Sequence, residues 1–294
     1  MFIKVADRAL DPATLIAGRI GLAAVTLALI VPVVLGGRAT LRELRANLWP
    51  LVLVGILNTA APFWLLSWGE TRIDSGLAAC IQAALPIFIA VIALGFFPAE
   101  RVTGWRLVGL LLGFGGVALL VGVQPSGQLL GALAVVGMAL FYAIGGLLTG
   151  HLLKGVEPLV VALGTTTAAT LVVVGPGIAR APAHMPGWKP IASVVTLAVL
   201  GTALAYLIFF ELIRGAGAGR TSLVTYLVPP FALAYGAIFL GEGIGAAAVG
   251  GLALTLAGVA LATGRVRVPL RARERGRAVA AQPAAARGIE EMEA

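Results

Sequence analysis

Ala99-Glu100-Arg101, followed by Gly109-Leu-Leu-Leu-Gly-Phe-Gly-Gly116-Val117, returns later in the chain as Gly241-Glu242-Gly243, followed by Gly251-Leu-Ala-Leu-Thr-Leu-Ala-Gly258-Val259. Glu100 and Glu242, Gly109 and Gly251, and Gly116 and Gly258 keep one constant separation. Upstream, Asp11-Pro12 and Glu157-Pro158 each open an apolar stretch at nearly the same offset. A lone Glu followed by a glycine-dotted apolar segment, present twice in the same order, means that one helical unit occurs in two copies.

Composition places both copies in lipid. The 294 residues are 60% hydrophobic and only 12% charged, with a mean hydropathy of +1.01. An ordinary soluble domain carries about 25% charged residues. The apolar residues fall in blocks of about 20, the length that crosses a hydrocarbon core of about 30 Å. These blocks run approximately Pro12–Val34, Leu48–Trp68, Gly76–Phe97, Gly104–Val123, Gly131–Gly150, Pro158–Val174, Ile191–Ile213, Ser222–Leu240 and Ala246–Thr263. The reading is an all-α integral membrane protein with nine complete spans.

Comparison of the halves points to a tenth helix. A full apolar span, Gly131–Gly150, precedes Glu157-Pro158, whereas only Met1–Leu10 precedes Asp11-Pro12. Either the protein has nine helices, or this start lies inside an opening helix that begins upstream, and the second is the expectation. Met1-Phe-Ile-Lys-Val-Ala-Asp-Arg8 reads as the tail of a helix entering its loop and lacks the pattern of a signal peptide. The expected organisation is a first repeat at 1–123 with a truncated opening helix, a second at 129–264, and a basic, disordered tail at 265–294. Five helices per repeat is an odd number, so the second copy enters the membrane from the opposite side. Inverted repeats of this kind interlock about an axis in the membrane plane and place a substrate site near mid-depth, a device of transporters.

Loop charges set the orientation. Arg38, Arg42, Arg45, Arg101, Arg106, Lys154, Arg214 and Arg220 share one side, and Lys4, Arg8, Arg72, Arg180 and Lys189 the other. The tail cations Arg265, Arg267, Arg271, Arg273, Arg275 and Arg277 join the richer side, so the C-terminus is expected in the cytoplasm, in a multi-pass protein of the cell (plasma or inner) membrane. The net charge of +8 reflects this tail and not a nucleic-acid groove; the tail has membrane lipid as its natural partner. Trp68 and Trp188 at one set of helix ends, and Trp49 and Trp105 at the other, fit aromatic belts at the two interfaces.

Polar residues inside spans carry the chemistry, because their burial in lipid is costly unless they face a cavity or a partner. Arg19 lies seven residues past Pro12, roughly 10 Å into the membrane. It is placed either to attract a substrate carboxylate or to pair with Glu70 or Asp74 on the same side. Asn58, Gln82, Tyr142, Thr165, Tyr206 and Tyr226, with Thr166 and Thr202, are the uncharged candidates for lining a substrate site, with helix bridging as the alternative. Pro86, Pro229 and Pro230 interrupt backbone hydrogen bonding and are candidate gating positions, a static kink being the alternative. Glu211 is the candidate for proton coupling, with pairing to Arg214 the duller reading. Gly109–Gly113, Gly146–Gly150 and Ala247 with Gly251 put small residues on one helix face, expected to pack the halves together or to form a homodimer contact.

Little supports catalysis. Cys80 is alone, and His151 and His184 have no metal-ligand spacing, so no catalytic, cofactor or metal site is expected. No glycine run is a phosphate loop. A non-transporting scaffold and a lipid-modifying enzyme remain the alternatives at this point.

Arg19 early in its helix, Pro86 ahead of Glu100, Pro229 ahead of Glu242, and a glycine-dotted helix after each Glu together resemble the EamA-type transporters of the drug/metabolite transporter superfamily. The resemblance spans about residues 1–264. It implies ten helices, both termini cytoplasmic, and export or exchange of small metabolites, often amino acids or related compounds, by alternating access. The chain departs from it in lacking most of the first helix and in having Thr165 where the second half would match Arg19.

Overall fold

The computed structural model describes residues 2–96, 105–122, 126–208, 212 and 227–262. These residues are helical and contain no strand. In chain order the helices are α1 (Phe2–Asp7), α2 (Pro12–Leu35), α3 (Gly37–Ala46), α4 (Leu48–Gly55), α5 (Ala61–Glu70), α6 (Ser75–Gln82), α7 (Leu85–Phe96), α8 (Trp105–Gly122), α9 (Ser126–Leu152), α10 (Pro158–Ala179), α11 (Trp188–Ala198), α12 (Val228–Tyr235) and α13 (Ala246–Ala262). Three π-helical turns, Ile56–Ala60, Val199–Leu204 and Gly236–Leu240, continue α4, α11 and α12. Six of the resulting segments are long and apolar enough to cross a membrane, and three shorter apolar helices complete the nine blocks read from the sequence. Large apolar side chains such as Leu29, Val33, Leu171 and Ile178 are exposed on the perimeter, as a lipid-facing surface requires.

Local sequence explains where the helices begin. Asp11 caps α2 with its side chain, Oδ1 accepting from Ala13 N at 2.9 Å, and Pro12 sits where a missing N–H is harmless. Pro158 opens α10 in the same way. Gly36, at φ +87°, turns the chain out of α2 into α3, which carries Arg38, Arg42 and Arg45 on its exposed face.

The packing of helices is that of two related halves. α2 packs on its counterpart α10, α8 on its counterpart α13, and α6 on α12, while α9 lies against α5 as α1 lies against α11. Lys4, Asp11, Asp74, Arg180 and Glu242 meet at one end of the bundle, through Lys4–Asp74 at 3.3 Å, Lys4–Glu242 at 3.6 Å and Arg180–Asp11 at 3.7 Å. At the opposite end Glu157 N donates to Glu43 Oε2 at 3.3 Å. Loops at 8–11, 71–74, 180–187 and 241–245 thus share one side, as alternate crossings of an inverted repeat demand.

The glycine repeat that opened the sequence lies at the crossing of α8 and α13. A Cβ built on Gly258 would stand 2.6 Å from Gly109 O, and one on Gly116 2.8 Å from Gly251 O. Backbones approach this closely only where side chains are absent, so the duplicated motif joins the two halves. The Gly146–Gly150 pair does not share this role, since a Cβ on either meets nothing within 4 Å. Gly145, rotated by one residue around α9, is the glycine that packs inward, against Asn58.

Candidate functional site

Asn58 lies in the π-helical turn Ile56–Ala60 and Thr202 in the turn Val199–Leu204. These turns are themselves a repeat: Gly55-Ile-Leu-Asn-Thr-Ala60 corresponds to Ala198-Val-Leu-Gly-Thr-Ala203, so Thr59 matches Thr202 and Phe63 matches Tyr206. A π turn inserts one residue and re-aims the side chains around it, which is why such turns gather at functional sites. In the second half the extra residue brings Thr202 Oγ1 to Leu197 O, five residues back, at 2.9 Å.

Thr202 Oγ1 also accepts from Arg19 Nε at 3.3 Å. The Arg19 guanidinium lies over the Phe63 ring, 4.2 Å from its centroid, a cation–π contact. Phe63 in turn meets Tyr142 edge-on at 6.5 Å. The fields of the Tyr142 and Tyr206 hydroxyls and of Glu70 reach Arg19. α2, α5, α9 and the span at 188–208 therefore converge on one cation, with an aromatic ring supplied by each of the last three. Arg19, Phe63, Tyr142 and Tyr206 are each half-buried.

Arg19 takes neither ion pair that the sequence left open. Asp74 is paired with Lys4, and Arg19 makes no ion pair among the described residues. The guanidinium has five N–H donors, and a threonine hydroxyl with a ring face leaves most of them unused.

Other sequence candidates fall elsewhere. Asn58 packs against Gly145, one turn along α9 from Tyr142, at the edge of the cluster. Thr165 and Thr166 are buried and turn their hydroxyls onto their own helix, Thr165 to Val161 O at 2.8 Å and Thr166 to Ala162 O at 2.6 Å. Gln82 ends α6 and Pro86 follows in the first turn of α7, so the Gln82 carbonyl lacks its usual donor and the span breaks there. Pro229 and Pro230 stand in the first turn of α12, where proline is tolerated, and not inside the described helix. The prolines inside described helices are Pro32 and Pro176, in counterpart helices. Glu211 and Tyr226 lie outside the described residues. An apolar cleft of about 520 Å³, lined by Pro32, Leu41, Leu48 and Leu171 among others, opens on the perimeter and contains none of the candidates.

Phe63 was missed because a phenylalanine in an apolar block carries no signal of its own, and Glu70 was read only as a possible partner of Arg19. The internal match of Phe63 to Tyr206 was the one available clue.

At the end that holds Asp11 and Arg180 the halves are tied by Glu242. Its carboxylate accepts from Ser75 N at 3.2 Å, Ser75 Oγ at 3.0 and 2.9 Å, and Gly76 N at 3.3 Å, the start of α6. Gly241, at φ +68°, turns the chain back so that Glu242 can reach there. Burial works to raise the Glu242 carboxyl, but the Ser75 and Gly76 donors and Lys4 outweigh it and hold the carboxyl below the usual glutamate range.

A duplicated, multi-pass helical bundle with polar side chains turned toward one another at mid-span defines a membrane transporter. The EamA-like transporter family matches residues 1–122 and 129–264, and the chain belongs to that family. It is 26% identical over 251 residues to an uncharacterized transporter, YvbV, of Bacillus subtilis, covering 84% of this chain and 78% of that protein. It is 28% identical over 249 residues to a protein of Streptantibioticus cattleyicolor described as a "Probable terminal-alkyne amino-acid exporter", covering 82% of each. A solved crystal structure that is 20% identical superposes with a TM-score of 0.63 over 88% of this chain and 90% of that one, a likeness of fold.

Proposed function

We propose that the chain is a secondary transporter that carries a small metabolite bearing a carboxylate, an amino acid or a close relative, outward across the cytoplasmic membrane by alternating access. Arg19 is the observation that supports this most directly. A cation without an ion pair, roughly 10 Å inside the membrane, is costly unless an anion completes it. Phe63, Tyr142 and Tyr206 supply flat apolar surface beside it, suited to a side chain of moderate size. The amino-acid exporter among the relatives supports the same substrate class. Asn58 and Gln82 belong to the wall of the site in this reading, Pro86, Pro229 and Pro230 to bending spans, and Thr165 to α10, which packs on α2. With the basic tail at 265–294 on the cytoplasmic side in this reading, the Lys4–Asp74–Glu242 end is the outer end.

The test is a thermal-stabilisation screen of the purified protein against the standard amino acids, followed by uptake and efflux of the hits in proteoliposomes. Arg19→Ala is expected to lose about 2–5 kcal/mol of ligand affinity, roughly 30-fold or more, with Arg19→Lys intermediate. Transport by Arg19→Ala at the wild-type rate, or the absence of any amino-acid ligand, overturns the reading.

A further inference from the structure

Two carboxylates stand between the Arg19 cluster and the Glu242 tie. Asp7 closes α1 and Glu70 closes α5, and the two helices pack together. Ser67, one turn before Glu70, donates its hydroxyl to Asp7 Oδ1 at 3.1 Å, which brings the two acids to one spot. Glu70 is only 7% exposed. Asp7 Oδ2 and Glu70 Oε2 are both sealed from solvent, and neither has a hydrogen-bond partner among the described residues.

The surrounding charges do not satisfy them. Lys4, the cation of α1, is turned to Asp74 and Glu242 at 3.3 and 3.6 Å. Arg180 is held by Asp11. The other charged groups whose fields reach the pair are Asp11 at Asp7, and Glu242 and, from greater depth, Arg19 at Glu70. From α9, which packs along α5, the titratable side chain nearest the Arg19 cluster is Tyr142, set against Phe63. Asp74, which precedes α6, is the acid that Lys4 neutralises. A buried carboxylate oxygen with no donor and no counter-ion contact is poorly stable as an anion, whereas a carboxylic acid supplies its own O–H.

We propose that Asp7 and Glu70 form a proton-binding site that couples to substrate binding at Arg19. One proton from water adds to a carboxylate oxygen of the pair and leaves again as that carboxylic acid ionises, with no other bond made or broken. Arg19 and Glu70 stand about seven residues apart in depth along α2 and α5, roughly 10 Å. Loss of the Glu70 charge strengthens the pull of Arg19 on a carboxylate by about tenfold, for charges roughly 10 Å apart at an effective dielectric of about 20. The linkage is reciprocal and positive, so the proton and the carboxylate bind together and cross in the same direction. Outward flow is then driven by substrate accumulated inside and not by exchange for an entering proton. The direction of coupling rests on the transporter reading above; the site itself does not.

Infrared difference spectra of the purified full chain in nanodiscs, taken between about pH 5 and about pH 8, test the site without any substrate. The expected result is a protonated-carboxyl C=O band that disappears as the pH rises and is lost in Glu70→Gln. Asp7→Asn, at a half-buried position, shifts the same band and serves as the second variant if Glu70→Gln does not fold. A spectrum unchanged in the folded variants overturns the site. In proteoliposomes loaded with a pH dye, efflux of a transported amino acid from the standard panel is expected to make the lumen more alkaline in wild type but not in Glu70→Gln. Acidification of the lumen overturns the direction of coupling. A wild type that moves no amino acid defeats the transporter reading, while the infrared result still decides the proton site.

Discussion

Replacement of Glu242 tests how the two halves are joined. The side chain belongs to the second half, yet its carboxylate takes three donors at the start of α6 in the first, Ser75 N, Ser75 Oγ and Gly76 N, at 2.9–3.3 Å. A hydrogen bond to a charged group contributes about 1.5–3 kcal/mol, which would give a ceiling near 4–9 kcal/mol for three. Two of the donors come from one residue and compete for two oxygens, and water at the helix end replaces part of what is lost. Glu242→Ala is therefore expected to cost about 2–4 kcal/mol. Glu242→Gln keeps one carbonyl oxygen but loses the attraction of the helix N-terminus and of Lys4, about 1–2 kcal/mol together. The pH dependence separates the charge from the shape. Because the folded carboxyl lies below its ordinary value, its contribution is fully present above the unfolded value of about 4.3 and is lost as the pH falls through the folded value. Tryptophan-monitored unfolding in detergent at about pH 7 and about pH 3 should show wild type above Glu242→Gln at the first and the gap narrowed at the second. A gap that is the same at both pH values, or an Ala variant within about 0.5 kcal/mol of wild type, refutes the argument.

Two glycine substitutions probe the close approaches. Gly258→Val places a Cβ 2.6 Å from Gly109 O and 2.6 Å from Gly113 Cα, so α8 and α13 must separate at about 1–3 kcal/mol; Gly115→Val, with open space around it, is the neutral control, and the yield of monodisperse protein reads the difference. Gly55→Ala sets a Cβ 2.7 Å from Thr165 O and 3.0 Å from Ala168 Cβ and is expected to lower the unfolding midpoint, whereas Gly146→Ala, with nothing within 4 Å, raises it slightly.

The spans, their number and their pairing were legible because each rests on a strong local signal: blocks of apolar residues, Asp11-Pro12 and Glu157-Pro158 at helix starts, and a glycine motif that recurs. The crossing of α8 on α13 follows from that motif almost residue for residue. Arg19, Tyr142 and Tyr206 were also legible as a set, since a polar side chain amid apolar neighbours needs a reason. What the sequence hid was facing. Gly145 and Gly146 are neighbours in sequence but lie about 100° apart around α9, and only packing shows which turns inward. The π turns were invisible for a related reason, because an inserted residue leaves apolar composition untouched while it rotates everything beyond it. Thr165 and Thr166 read as site residues by type; each spends its hydroxyl hydrogen on its own helix, as Thr202 also does, and keeps only acceptor lone pairs.

The asymmetry of the site has a specific origin within a symmetric scaffold. Both halves bring a π turn ending in Thr-Ala against a neighbouring long helix, Thr59 beside α10 and Thr202 beside α2. In the first half the residue before the turn is Gly55, and α10 comes so close that a Cβ there would collide with the Thr165 carbonyl. No long side chain fits between them, and Thr59 Oγ1 is buried without a partner among the described residues. In the second half the equivalent residue is Ala198, which is fully buried. Arg19, from α2, donates to the hydroxyl of Thr202 in the second half and lies across the ring of Phe63, which comes from its own half. The close approach at Gly55 thus goes with a short residue, Thr165, on the helix that faces it, while the counterpart turn in the second half meets a long one, Arg19.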